Sequence, residues 1–188
     1  YNYSHGNHWF LSVMKRPVAN AIVRYNLSVN ERYGGYHYGF ESANDLSNLK
    51  VYNNTHYYRQ GTTPAIIGPN LERTPMETVF NNNIFYAVSP GGFMGVNAEN
   101  GVNVIYDTNV YFNITPPESE TNALTADPLF VAAGVEPHDV DMKNGRHVLE
   151  GYRLSKESPY RNAGVNIEDN GSQDFWGKPI PEGTTSIG

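Results

Sequence analysis

Within one short stretch of the 188-residue chain stand two carboxylates, a guanidinium, a phenol and an imidazole: Glu31, Arg32, Tyr33, His37 and Glu41. If residues 36–41 form a strand, alternation puts His37, Gly39 and Glu41 on one face. Tyr36, Tyr38 and Phe40 then take the other face and turn inward. Glu31 sits on the adjoining loop. Two carboxylates so placed could flank one glycosidic bond, one protonated and one ionised, as glycoside hydrolysis requires; their separation would set retention or inversion. Roughly one repeat earlier, His5, His8, Trp9, Lys15 and Arg16 supply imidazoles, an indole and two cations. The candidate catalytic residues are therefore Glu41, Glu31 and His37. Candidate substrate contacts are His5, His8, Trp9, Lys15, Arg16, Arg32 and Tyr33. A plainer arrangement stands beside this one, in which Glu41 ends its strand as a solvated charge and Arg32 pairs with Glu31.

Aromatic rings suit the C–H faces of sugars. Trp9, Tyr33, Tyr57, Tyr58 and Tyr86 are stacking candidates on that ground, although at least half are expected to turn inward as core. No metal centre and no cofactor are expected. The pair His5-x-x-His8 has no third ligand nearby, and Asp139-x-Asp141 reads as turn chemistry rather than a Ca²⁺ site. His56 is expected as a solvent-exposed neighbour of a corner, and Phe175 and Trp176 as core of the terminal segment.

What must position these groups is a repeat. Residues 49–58 read as strand, one-residue corner at Asn54, strand, and the same phrase recurs at 23–29, 80–86 and 106–112. The corner asparagines Asn2, Asn26, Asn54, Asn83 and Asn109 lie 24, 28, 29 and 26 residues apart. A period of that length fits one turn of a parallel β-helix, whose turns cannot bury an inward face alone and therefore stack. Asparagine tolerates a left-handed corner, and its amide both donates and accepts, so a column of them can bond along the axis. A further strand per turn is expected near Trp9–Val13, 36–41, Ala65–Ile67 and 93–96, spaced much as the asparagines are. The expected fold is an all-β solenoid of three strands per turn over residues 1–115, closed by a C-terminal capping segment over 116–188, where the period is lost.

Composition supports an all-β chain rich in turns: aromatic residues make up 13%, with 14 Tyr, 18 Gly and 12 Pro. A net charge of −6 argues against a nucleic-acid partner, which would need a basic face to displace counterions. Residues 1–73 nevertheless carry seven Lys or Arg against four Asp or Glu, so the acids are concentrated later. No apolar run approaches the ~18 residues needed to cross a bilayer. Cysteine is absent, which excludes a disulfide framework and a thiolate metal site. Asn-x-Ser/Thr at Asn2, Asn26, Asn53, Asn113 and Asn170 is expected by chance in so Asn-rich a chain.

Several phrases in the second half are more specific. Asp127-Pro128-Leu129-Phe130-Val131, Ser158-Pro159-x-x-Asn162-Ala163-Gly164, Asp174-Phe175-Trp176-Gly177-x-Pro179 and Ile187-Gly188 resemble the C-terminal part of secreted bacterial right-handed parallel β-helix proteins of the pectate-lyase-like superfamily. With the asparagine column, the resemblance spans nearly the whole chain. It implies a right-handed coil, a secreted or cell-surface location, bacterial extracellular or periplasmic, and a polysaccharide or oligosaccharide held in a groove along one sheet. Separately, the repeated phrase starts at its corner, Asn2, without the strand that should precede it, so further turns are expected before Tyr1, on the same chain or a separate one. The superfamily contains hydrolases, lyases, epimerases and non-catalytic surface proteins, so it does not fix the reaction. A glycoside hydrolase is the first expectation. A lyase acting on uronates would instead take its base from Lys15, Arg16 or Arg32, with Ca²⁺ as a helper for which no aspartate cluster is evident. A non-catalytic protein that binds glycan or joins a surface assembly is the reading from another class.

Overall fold

The structure, a computed structural model, describes residues 1–13, 18–38, 46–59, 65–67, 78–90, 104–135, 145–181, 183 and 185–188; of His37, Tyr38 and Leu46 it describes the backbone alone. The first strands in chain order are β1 (Tyr3–His5), β2 (Trp9–Val13), β3 (Val18–Ala19), β4 (Ile22–Arg24), β5 (Leu27–Val29), β6 (Gly34–Tyr38) and β7 (Leu46–Ser47). They are followed by β8 (Leu49–Tyr52), β9 (Thr55–Tyr58), β10 (Ala65–Ile67), β11 (Thr78–Asn81), β12 (Ile84–Ala87), β13 (Val104–Asp107) and β14 (Val110–Phe112). A 3₁₀ helix spans Arg146–Tyr152.

Four sheets result: A in the order β1-β5-β9-β12-β14, B as β10-β6-β2, C as β3-β7, and D as β13-β11-β8-β4. Every strand pairing within them is parallel. Among the described residues the first three passes visit A, then B, then D, with short sheet C added in the first two, and each returns to A beside the strand it left; the fourth is described in A and D alone. The molecule is thus mostly β, with parallel sheets whose pairings join residues one repeat apart, consistent with a β-helix-like path. Strands β2 and β10 fall where the sequence spacing places them, and β6 covers the described part of 36–41; residues 93–96 lie outside the described residues.

The corner column forms as a continuous chain of amides. Nδ2 of Asn2 donates to Oδ1 of Asn26 at 3.0 Å, Asn26 to Asn54 at 2.7 Å, Asn54 to Asn83 at 2.9 Å, and Asn83 to Asn109 at 2.9 Å. Each accepting oxygen also takes the backbone N–H of the previous asparagine, at 2.8, 3.2, 3.1 and 3.0 Å. One expectation is corrected here: the left-handed residue is not the column asparagine but the one before it. Tyr25 (φ 50°), Asn53 (φ 53°), Asn82 (φ 55°) and Thr108 (φ 58°) carry that conformation. A tyrosine and a threonine in this position show that the corner does not require asparagine for its backbone. The column asparagine is there for its amide, which satisfies buried N–H groups that water cannot reach.

Side-chain alternation gives the core. Val23, Val51, Phe80 and Tyr106 stand in register on the inner face of sheet D, with Phe80 and Tyr106 stacked at 5.0 Å. The outward row Ile22, Lys50, Val79, Ile105 leaves Ile22 and Ile105 51% and 56% exposed. Sheet A differs, because β5 and β9 are buried on both faces. Its inner row, Ser28, His56, Phe85 and Tyr111, faces the interior. Its outer rows pack against Leu149, Tyr152, Phe175, Tyr160 and Ile187 of the C-terminal segment. That segment has two jobs. Glu120 and Leu124 bridge to Tyr106 and Val110 at the last turn, and the remainder runs back along the outside of sheet A as far as Tyr25 and Leu27.

His56 is a second correction. Instead of lying at the surface it is fully buried, stacked on Phe85 at 5.2 Å, with Nε2 3.0 Å from the Tyr36 hydroxyl. It belongs to the strand that begins just after the corner, and the second position of β9 points inward. Tyr57 and Tyr58 are buried and Tyr86 half-buried, while Phe175 is core and Trp176 packs against it.

Candidate functional site

The loop between sheets A and B is laid down twice in register. Arg32 N–H donates to the Asn7 carbonyl at 2.7 Å and Tyr33 N–H to the His8 carbonyl at 2.8 Å, so residues 7–9 and 32–34 stack as neighbouring rungs. Gly34 makes the turn into β6 at φ 139°, where an added Cβ would lie 1.9 Å from the Ala65 carbonyl oxygen. Only glycine lets the backbones approach so closely.

This stacking collects four of the residues singled out from the sequence. The Tyr33 ring, 46% exposed, lies 5.1 Å from the His8 ring and 5.9 Å from Trp9, and the Arg32 guanidinium carbon sits 5.5 Å from its centre. His8 and Arg32 are exposed and Trp9 is half-buried. The result is an aromatic surface with a cationic edge at the border of sheet B. It can take the apolar face of a ring and offer hydrogen-bond donors to its substituents.

Glu31 is next in sequence but turned the other way. It is fully buried; Oε1 accepts from the Ser4 hydroxyl and Oε2 from the Asn7 N–H at 2.6 Å. Burial raises its pKa above the ordinary carboxylate value, only partly offset by those donors and by the nearby His5. It pairs with the preceding turn and not, as the plainer sequence reading has it, with Arg32. Sequence reasoning missed Ser4 and Asn7 as its partners. The signal that could have found them is the repeat itself, since Asn7 lies 24 residues before Glu31 and Ser4 pairs in register with Ser28.

His5 is half-buried beside Tyr3, at 6.3 Å between rings. The backbone of His37 pairs with Ser12, which is exposed. Lys15, Arg16 and Glu41 lie outside the described residues, as do Asp139 and Asp141. Among the described residues no three His, Asp or Glu side chains gather at metal-binding distance, and no helix is long and apolar enough to cross a membrane. Compared with known proteins, the chain matches no family model and no curated protein significantly.

Proposed function

We propose that the protein is a right-handed parallel β-helix of the pectate-lyase-like kind that engages a polysaccharide or oligosaccharide along the outer face of sheet B. One observation carries this reading: the exposed Tyr33 ring, flanked by Trp9 and His8 and edged by Arg32. Parallel rungs repeat every ~4.8 Å, so a sheet of this kind offers contacts at regular steps along an extended polymer. Such a protein works on glycans outside the cytoplasm, secreted or at the cell surface.

Glycoside hydrolysis is the reaction assigned first, with Glu41 and His37 in the catalytic roles that the sequence reading gives them; Glu41 and the His37 side chain lie outside the described residues. Glu31 does not serve as its open partner, because both of its oxygens are already bonded inside the fold. That occupancy favours a second reading, a β-helix that binds glycan without cleaving it. A lyase would rely on Arg32, Lys15 or Arg16 for proton abstraction.

The test is a panel of neutral and acidic polysaccharides offered to the whole protein and to Tyr33→Ala, Glu41→Gln and Glu31→Gln. Hydrolysis predicts new reducing ends lost in Glu41→Gln, whereas a lyase product would absorb in the ultraviolet. Binding without turnover establishes the second reading. If Tyr33→Ala binds every glycan as the parent does, the site is misplaced.

A further inference from the structure

Between the outer face of sheet A and the C-terminal segment lies a cavity of about 450 Å³. That volume is in the range of small-molecule sites, roughly 300–1,000 Å³. It stands away from sheet B and uses none of the residues discussed above as substrate contacts. One wall is apolar and aromatic, with Leu27 and Ile84 from the sheet and Phe130, Phe175 and Trp176 from the segment.

The lining also carries charge: Arg153, Lys156 and Arg161 border the cavity, with Asp174 the one acidic side chain among the lining residues. Asp174 is already committed: its Oδ1 accepts the backbone N–H groups of Trp176 and Lys178, both at 2.8 Å, and so holds the turn that presents Trp176. Arg153 bonds Glu150 at 2.9 Å and lies 5.3 Å from the Trp176 ring centre, which helps to fix the indole. Lys156 and Arg161 are exposed and have no hydrogen-bond or ion-pair partner among the described residues. A protein of net charge −6 thus concentrates three cations around one recess. Arg153 is answered by Glu150, but Lys156 and Arg161 are left as two cations without a paired acid among the described residues, which favours an anion beside them.

We propose that this cavity is a second binding site, separate from sheet B, for a sugar ring carrying a carboxylate. The ring lies against Trp176 and the apolar wall, and the carboxylate meets Lys156 and Arg161. The cations account for the anion and the aromatic wall accounts for the ring; a bare anion would have no use for the second. No reaction is assigned there, since Asp174 is occupied by the turn and no second acid faces it among the described residues.

The chain has two tryptophans, Trp9 and Trp176, so Trp9→Phe leaves Trp176 as the sole indole reporter and removes the indole signal from sheet B. Glucuronate, glucose and inorganic sulfate are each titrated into this variant at low salt while tryptophan emission is followed. The expected result is a saturable change with glucuronate, weaker by about tenfold or more with glucose and with sulfate. In Lys156→Ala/Arg161→Ala on the same background, which alters exposed side chains only, the glucuronate affinity falls by a similar factor. Equal responses to glucose and glucuronate, a response to sulfate as tight as to glucuronate, or a double variant that binds as before would each overturn the proposal. Failure of glycan binding at Tyr33 leaves this readout untouched, so the two sites stand or fall separately.

Discussion

Nδ2 of Asn109 donates to Oε2 of Glu120 at 2.9 Å, and the Tyr111 hydroxyl donates to the same oxygen at 2.6 Å. The column of corner amides therefore ends on a carboxylate instead of another asparagine. A column in which every member gives to the next needs a final acceptor, and an ionised carboxylate can take two donors at once. Glu120→Ala should lower the free energy of unfolding by about 2 kcal/mol, because two part-buried donors lose their acceptor. Glu120→Gln, which keeps an amide oxygen in place, should cost less than half of that. Urea unfolding of the three proteins decides; equal midpoints for Ala and wild type would show that the column does not depend on its terminus.

Position along the column should set the cost of breaking it. Asn54 is buried, donates to Asn83 and accepts from Asn26, whereas Asn2 is exposed and lies at the other end. Asn54→Ala leaves the N–H and Nδ2 of Asn26 without an acceptor in the interior, at roughly 2–4 kcal/mol, while Asn2→Ala should cost under about 1 kcal/mol. Thermal unfolding of the pair is the measurement, and comparable losses would mean that burial is not what makes the amides matter.

The buried imidazole of His56 makes stability depend on pH. Burial pushes its pKa down to about 3, against 6.5 in a free side chain. The unfolded chain therefore binds a proton that the folded chain resists. Its contribution is fully present above about pH 6.5 and is lost as pH falls toward 3, with a slope of at most about 1.4 kcal/mol per pH unit. His56→Phe continues the stack on Phe85, at the price of the Tyr36 contact, and should flatten the acid limb of the stability curve. Parallel curves for wild type and variant between pH 6.5 and 4 would refute this.

Glu31 acts in the opposite sense. Its carboxyl is held above the ordinary value by burial, so protonation favours the folded state. The associated stability is complete below about pH 4.5 and declines as pH rises through the folded value. Glu31→Gln, being neutral throughout, should gain on the wild type as pH rises through that window. Its glycan binding should stay unchanged, since Glu31 faces Ser4 and Asn7 and not solvent. Denaturation midpoints at pH 4 and pH 7 check the first part, and affinity electrophoresis in polysaccharide gels the second.

Tyr33 and Arg32 are exposed, and their side chains serve no core. Tyr33→Ala should weaken glycan binding by about tenfold, in line with the loss of one aromatic platform, while moving the unfolding temperature by less than a degree or two. Arg32→Ala should weaken binding of acidic glycans more than neutral ones. Equal loss of affinity for both would place Arg32 outside the contact.

The repeat was legible because parallel strands paired one repeat apart write their period into the chain. Asn2, Asn26, Asn54, Asn83 and Asn109 were identifiable from spacing alone, and so were strands β2 and β10. The grouping of Arg32 and Tyr33 with His8 and Trp9 was legible for the same reason, since residues one period apart become neighbours. His56 was misplaced because polarity suggested exposure, while the position after a corner dictated an inward side chain. The left-handed residue was misassigned by one because asparagine suits both that conformation and the amide column, and composition does not separate the two roles.

By itself, then, the amino-acid order determined a parallel, stacked β architecture, the register of its turns and the column that pins them, since all three follow from local periodicity. Only the tertiary structure decided that Glu31 is an internal carboxylate bonded to the previous turn. It alone showed that the C-terminal segment folds back over sheet A, burying a face that alternation would leave to solvent and enclosing a cationic recess. Those outcomes depend on contacts between residues far apart in the chain, such as Asn53 with Ser186 and Arg24 with Asp169, for which no spacing rule exists.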